Sequence, residues 1–196
     1  MSVFIWDLDG TLIDSYPIFM IALSETFAAA KLPFDPEKVY AFIKNHSVNA
    51  FLEAQLFSFE QLKKDFTEKS TARNHEISLM VGAKDVLDWT RAQGIQNFIY
   101  THKGKNTYKL LEQLGISAYF KEVITSENNF QRKPHPEAIN YLLEKYKLDK
   151  SQVYYIGDRP LDAQLASNSG IQSINFIEAE NSIPIDRLKE IMELNL

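Results

Sequence analysis

The sequence predicts an α/β protein, a doubly wound parallel sheet with an α-helical bundle inserted after the first strand. Three observations predict it. Short apolar segments rich in β-branched and aromatic residues recur along the chain. Segments of helical periodicity, several closed by a glycine, lie between them. One stretch in the first half carries helical patterns only. The length of 196 residues suits one domain carrying an insert.

The first strand is "SVFIW" at 2–6. Others follow as "QNFIYT" at 96–101, "KEVITS" at 121–126 and "QVYYIG" at 152–157, with a weaker one, "QSINF", at 172–176. Residues 83–93 present Ala83, Val86 and Leu87 on one face before Gly94. Residues 105–114 do the same with Tyr108, Leu110, Leu111 and Leu114 before Gly115. Residues 136–147 carry Ile139, Leu142, Leu143 and Tyr146 behind Pro136, a good first-turn residue. Residues 160–169 carry Leu161, Leu165 and Ala166 before Gly170, a helix C-terminal signal. Strands alternating with helices imply right-handed βαβ crossovers. The C-terminal stretch "IPIDRLKEIMEL" predicts an amphipathic helix packed back on the sheet, with a dimer contact as the weaker option.

The alternation breaks from about Pro17 to about Arg73. "PIFMIALSETFAAAK" is helical, with Pro17 early, and "DPEKVYAFIKNH" starts with Asp35 as a candidate N-cap and Pro36 at the first position. "SVNAFLEAQLF" and "SFEQLKKDFTEKSTARNHE" continue the helical pattern. The expected division is a core of residues 1–14 and 80–196 and an insert of residues 15–79, with hinges near 13–16 and 79–82. Ligands of open parallel sheets bind beyond the carboxyl ends of the strands. An insert leaving the chain after the first strand is therefore expected to cover that edge as a lid. Its phenylalanines (Phe42, Phe51, Phe57, Phe59 and Phe66) read as its own core.

Bulk properties exclude several functions. The net charge is −5 and there is no basic block, which argues against nucleic acid or an anionic membrane as partner. With no cysteine, disulfides and thiolate chemistry are absent. The N-terminus lacks a signal-peptide pattern, and no apolar run is long enough to span a bilayer. The expectation is a cytoplasmic protein, monomeric or weakly dimeric.

The strand ends carry the chemistry. The first gives Asp7, Asp9, Gly10 and Thr11; the second gives Thr101 and His102; the fourth gives Asp158, Arg159 and, a turn later, Asp162. Lys133 stands between them in "RKPHPE". Two like charges ~5 Å apart repel by about 3 kcal/mol at an effective dielectric of ~20. Carboxylates converging in a partly dry crevice therefore call for a cation, and an all-oxygen set suits Mg²⁺. Lys133, Thr101 and backbone N–H groups near Gly10 and after Thr101 could hold phosphate oxygens. Asp162, in the first turn of a helix, could equally favour the helix dipole. Arg159 reads as a local ion-pair partner, and His102 and His135 as groups beside the site.

The ordered set "DLDGT", strand-end Thr101, Lys133 of "KP" and "GDRPLD" resembles the haloacid dehalogenase superfamily. The resemblance is to the branch with a helical cap after the first motif, which includes phosphoglycolate phosphatase-like and β-phosphoglucomutase-like enzymes. It covers nearly the whole chain and implies a Rossmann-like core. It further implies that Asp7 is a nucleophile forming an aspartyl-phosphate and Asp9 the general acid and base. Mg²⁺ would be held by Asp7, the Asp9 carbonyl, Asp158 and Asp162. Phosphate would be held by Gly10, Thr101, His102 and Lys133. Dehalogenases of the superfamily lack a carboxylate two positions after the nucleophile, so Asp9 favours phosphate chemistry. The mutases resemble this core but carry a cap histidine where Phe19 stands here. The expectation is a Mg²⁺-dependent phosphatase of a small phosphorylated metabolite, with a phosphomutase, a dehalogenase and a non-catalytic protein of the same fold as alternatives. Tyr16, Lys44, His46, Arg73 and His75 are candidates for contact with the leaving group.

Overall fold

The computed structural model describes residues 2–196. In chain order the elements begin with β1 (Val3–Trp6) and β2 (Ile13–Asp14). Four helices follow: α1 (Tyr16–Ala29), α2 (Pro36–Asn45), α3 (Val48–Glu53) and α4 (Phe59–Ala72). Next come β3 (Ser78–Leu79), α5 (Ala83–Ala92), β4 (Gln96–Tyr100), α6 (Asn106–Gln113) and β5 (Phe120–Ile124). The chain closes with α7 (Glu137–Tyr146), β6 (Val153–Gly157), α8 (Pro160–Ser169), β7 (Gln172–Asn175) and β8 (Ser182–Pro184). Two compact units result. One combines the residues up to Asp14 with Ser78–Leu196, and the other is Ser15–Ile77.

The first unit is built on a six-stranded sheet in the order β5-β4-β1-β6-β7-β8, with every pairing parallel. β1 lies inside this sheet and all four of its residues are buried, which explains its unbroken apolar run. The alternation along β1 divides the core. Val3 and Ile5 join Phe98, Tyr100, Val153 and Tyr155 on one face, under Ala138, Ile139 and Leu142 of α7 and Leu165 of α8. Phe4 points the other way, stacked on Trp89 of α5 with ring centroids 6.4 Å apart. Trp6 shares that side, and its indole N–H donates to Asn97 Oδ1 at 2.8 Å. Asn97 in turn donates to Thr90 Oγ1 at 2.7 Å. A buried indole N–H would otherwise lose its hydrogen bond to water, so this chain lets a tryptophan sit at 0% exposure.

β2 and β3 form a separate two-stranded antiparallel ribbon, Ile13 opposite Leu79 and Asp14 opposite Ser78. Two-residue strands leave no readable alternation, and the sequence gives no sign of them.

The second unit is helical throughout. Its breaks follow from capping chemistry. Asp35 Oδ1 accepts the N–H of Lys38, Ser47 Oγ that of Ala50 and Ser58 Oγ that of Gln61, so each helix after the first begins on a side-chain cap. Tyr16, Leu23, Phe27, Val39, Ile43, Leu52 and Leu62 form its core, with Phe51, Phe59 and Phe66 packed against them. Phe42 packs on Phe51 at 5.6 Å between centroids. Phe57, expected in this core, is 44% exposed in the turn between α3 and α4.

The C-terminus corrects the sequence reading. The stretch expected as one helix splits into β8 and a 3₁₀ helix, Leu188–Glu193. β8 adds an edge to the sheet beside β7, where Pro184 lacks a donor and is tolerated. The apolar spacing that suggested a helix instead buries Ile185, Leu188 and Ile191. Lys189 closes the contact with α5 through Asp85, Nζ to Oδ2 2.6 Å. Among the described residues no helix is long and apolar enough to cross a membrane.

Candidate active site

Register brings the predicted residues together. Trp6 at the end of β1 is level with Ile99 of β4 and Ile156 of β6. Asp7 continues the ladder, its N–H donating to Ile156 O at 2.8 Å. Thr101 and Asp158 are the first residues past the two flanking strands. Asp7, Thr101, Asp158 and Asp162 are all buried, as is Lys133.

Lys133 is the centre of the arrangement. Its Nζ lies 2.5 Å from Asp7 Oδ1 and 3.0 Å from Asp162 Oδ1, with no exposed side-chain surface. The rings of Tyr155 and Tyr100 lie 5.0 Å and 5.3 Å from Nζ and add their π faces to its surroundings. Burial works against the ammonium, but Asp162 and Asp7 outweigh it and hold the pKa of Lys133 above the usual lysine value. Burial also pushes the Asp7 carboxyl up, against the pull of Lys133, and the negative charges of Asp162 and Asp158 push the same way.

The carboxylates fit a divalent cation. One oxygen each from Asp7, Asp158 and Asp162 lies within 4.8 Å of the others. Asp7 Oδ2 is buried with no hydrogen-bond partner among the described residues. A buried carboxylate oxygen in that state carries a heavy desolvation cost, which a hard cation would offset. Asp162 also serves structure. Its Oδ2 accepts the N–H of Arg159 at 3.2 Å, a cap on α8, while Oδ1 meets Lys133. Arg159 Nε stands 3.8 Å from Asp158 Oδ1, the local ion pair that the sequence suggested.

Gly157 makes room for Asp162. A Cβ added at Gly157 would lie 2.4 Å from Asp162 Cβ and 2.5 Å from its Cγ. Gly157→Ala must therefore displace the carboxylate that steadies Lys133. It is expected to lower the rate of the reaction proposed below by about 100-fold, the cost of an ångström-scale misplacement. Steady-state kinetics beside a melting curve checks this.

Asp9 does not join the cluster through its side chain. Its Oδ1 accepts from Lys103 Nζ at 3.0 Å, and the pair is only slightly exposed. Lys103 was invisible as a site residue in the sequence, where it reads as a surface lysine after a strand. Thr101 Oγ1 accepts the backbone N–H of Lys103 at 3.1 Å, leaving its hydroxyl proton for a further partner.

Two residues expected to bind phosphate are otherwise engaged. Gly10 donates its N–H to Ile13 O at 2.8 Å, inside the tight turn after β1. With φ at +84° its contribution is conformational: a side chain there would strain the turn that carries Asp9. His102 Nε2 accepts the backbone N–H of Lys133 at 2.9 Å, while Nδ1 lies 3.1 Å from an Arg132 nitrogen. Burial, with the cations Lys133, Arg132 and Arg159, pushes the His102 pKa down to about 2, so its imidazole is neutral.

In the helical unit, Arg73 pairs with Glu25 at 2.5 Å and Glu76 at 3.1 Å, joining the end of α4 to α1. Lys44 Nζ lies 4.3 Å from the centroid of the buried Tyr16 ring. His75 Nδ1 is 3.1 Å from Ala72 O. Phe19 packs between Tyr16 and Phe66 at 6.1 and 5.8 Å.

Comparison with known proteins gives a coherent answer. Residues 4–176 match the family described as haloacid dehalogenase-like hydrolase. A phosphoglycolate phosphatase of Vibrio cholerae serotype O1 is 30% identical over 192 residues, which cover 90% of this chain and 84% of that protein. One of Vibrio parahaemolyticus is 26% identical over 213 residues, covering 96% and 93%. The crystal structure of a hydrolase from Streptococcus pneumoniae, 31% identical, superposes with a TM-score of 0.69 over 97% of each chain.

Proposed function

The chain belongs to the haloacid dehalogenase-like hydrolases, and from that premise we propose that it is a Mg²⁺-dependent phosphatase acting on a small phosphorylated metabolite. The observation that carries this reading is the buried ammonium of Lys133 held between Asp7 and Asp162, beside an Asp7 oxygen with no partner of its own. That combination offers a nucleophile, a cation for phosphoryl oxygens and a carboxylate set for a metal in one desolvated place. Phosphoryl transfer needs chiefly alignment and charge neutralisation, and these residues supply both.

In this reading Asp7, Asp158 and Asp162 with the Asp9 carbonyl would hold Mg²⁺, which when bound would offset negative charge on carboxylates and phosphate. An Asp7 carboxylate oxygen attacks phosphorus, and the bond from phosphorus to the ester oxygen breaks. Asp9 gives its proton to that leaving oxygen. Water then attacks the phosphorus of the aspartyl-phosphate while Asp9 takes a proton from it. The bond from phosphorus to the Asp7 oxygen breaks, releasing inorganic phosphate and restoring both aspartates. Lys133 and the Thr101 hydroxyl hold the phosphoryl oxygens through both steps.

A hydrolase needs no further group, whereas a mutase needs one to manage a sugar hydroxyl. The position of the mutase histidine is filled by Phe19, packed in the helical core. Phosphoglycolate is the first substrate to test, because relatives spanning most of the chain carry that activity in their names. The helical unit is proposed to act as the cap that sets specificity.

The test is phosphate release from p-nitrophenyl phosphate and from a panel of phosphorylated metabolites, with Mg²⁺ and after chelation. Turnover should require Mg²⁺, and one short anionic phosphate ester should stand out from the panel. Metal-independent or absent turnover across the panel removes the reading. Conversion of a hexose 1-phosphate to its 6-phosphate would replace it with a mutase.

A further inference from the structure

We propose that His102 is a positioning residue that acts through the backbone of Lys133, fixing the place from which the Lys133 ammonium reaches Asp7 and Asp162. This rests on the reading above, in which Lys133 holds the transferring phosphoryl group.

Lys133 comes from a segment with no regular structure of its own. Residues 129–136, between the 3₁₀ turn Ser126–Asn128 and α7, belong to no strand or helix. Side chains of other elements hold this segment. Tyr100 Oη donates to Gln131 O at 3.0 Å, Glu137 Oε2 accepts from Gln131 N at 2.7 Å, and Asn168 Nδ2 donates to Pro134 O at 2.9 Å. At Lys133 itself the holder is His102, at 2.9 Å from its backbone nitrogen.

A lysine side chain is four methylenes long and flexible, so its ammonium is only as well placed as its Cα and the walls around it. The walls here are Tyr100 and Tyr155, and the Cα is set by the imidazole. The ring is itself well fixed. It leaves the end of β4 beside Thr101 and stands edge-on to Tyr100 at 5.8 Å. An imidazole that binds phosphate must aim an N–H at the anion. Here Nε2 receives an N–H, so the neutral ring carries its one proton on Nδ1, 3.1 Å from an Arg132 nitrogen that is itself a donor. The role requires a neutral ring, since a proton on Nε2 would set two donors against each other. The charged groups facing the ring (Lys133, Arg132 and Arg159) all disfavour that proton. His102 thus ties the end of β4, which carries Thr101, to the peptide that carries Lys133.

The first measurement is ¹⁵N NMR of the intact protein labelled at histidine, with His102 assigned by its absence in His102→Gln. Nε2 should report an unprotonated acceptor from about pH 5 to about pH 8, where an ordinary histidine titrates. It should remain so when inorganic phosphate and Mg²⁺ are added. A protonated Nε2, or one that gains a proton as phosphate binds, overturns the proposal. This readout does not depend on turnover, so it can fail or succeed separately from the phosphatase reading. The second measurement is kinetic. His102→Leu should lower kcat about 10–100-fold with a smaller change in KM. His102→Gln, whose side-chain oxygen can accept at a similar reach, should recover most of that loss, and melting curves should show both variants folded. Equal losses in folded Leu and Gln variants, or no loss in either, would sink it.

Discussion

Asp7→Asn abolishes turnover, by about 10⁴-fold or more, while the protein remains folded. The expectation follows from the site's division of labour. Asp7 is placed by a backbone hydrogen bond to β6 and by burial, neither of which the amide disturbs. What the amide removes, in the proposed mechanism, is the attacking oxygen anion and one carboxylate of the acidic cluster. Lys133 keeps Asp162 as a partner, so the cavity retains a paired ammonium. The measurement is single-turnover chemistry with a radiolabelled phosphate ester, quenched in acid. The unaltered protein should retain a label that hydroxylamine releases, as an acyl phosphate does, and Asp7→Asn should retain none. Undiminished turnover in the variant would assign the nucleophile elsewhere.

Lys133→Met damages stability as well as rate. The thioether keeps most of the stem, but Asp7 and Asp162 lose the cation between them. Breaking a buried pair from one side costs about 3–5 kcal/mol. For a chain of this size that is on the order of 10 °C in Tm. The deficit should depend on pH in a definite direction. Burial already pushes the Asp7 carboxyl up, and without Lys133 the leading opposing influence is gone. A carboxyl whose folded pKa exceeds its unfolded value adds stability below the unfolded value and loses it as the pH rises through the folded one. The melting temperature of the variant should therefore fall further behind as the pH is raised from about 6 to about 8, through the value of about 7 at which Asp7 ionises in the unaltered protein. A deficit that shrinks over that range would refute the account. Turnover should fall by about 10²–10³-fold, the range for losing one preorganised donor to a developing charge.

What the sequence discloses here has a physical pattern. Parallel strands end on one side, so residues far apart in the chain but next after apolar runs (Asp7, Thr101 and Asp158) are legible as neighbours. Lys133 lies on no strand; only the company of the other motifs marks it. Lys103 stayed hidden because a lysine after a strand is ordinarily solvated, and its grip on Asp9 depends on the path of a loop. Position alone does not reveal which way an imidazole faces, so the contact of His102 Nε2 with the backbone N–H of Lys133 is not legible in the sequence. The C-terminal segment misled for another reason. Ile185, Leu188 and Ile191 recur at a spacing shared by an α-helix and a 3₁₀ helix, and the edge strand before them is three residues long.

The β2–β3 ribbon has a consequence for how such a chain can change. The polypeptide leaves for the helical unit after Asp14 and returns at Ser78, and those two residues are cross-strand partners. The 63 residues between them, Ser15–Ile77, form a closed excursion from one clasp. Lengthening, shortening or exchanging that excursion leaves the register of the six-stranded sheet untouched, since no strand of the sheet lies within it. If the helical unit sets specificity, as proposed above, recognition and catalysis can then vary on separate schedules. A lineage can try new helical modules against an unaltered set of reacting groups, and an engineer can cut and rejoin the chain at the same place.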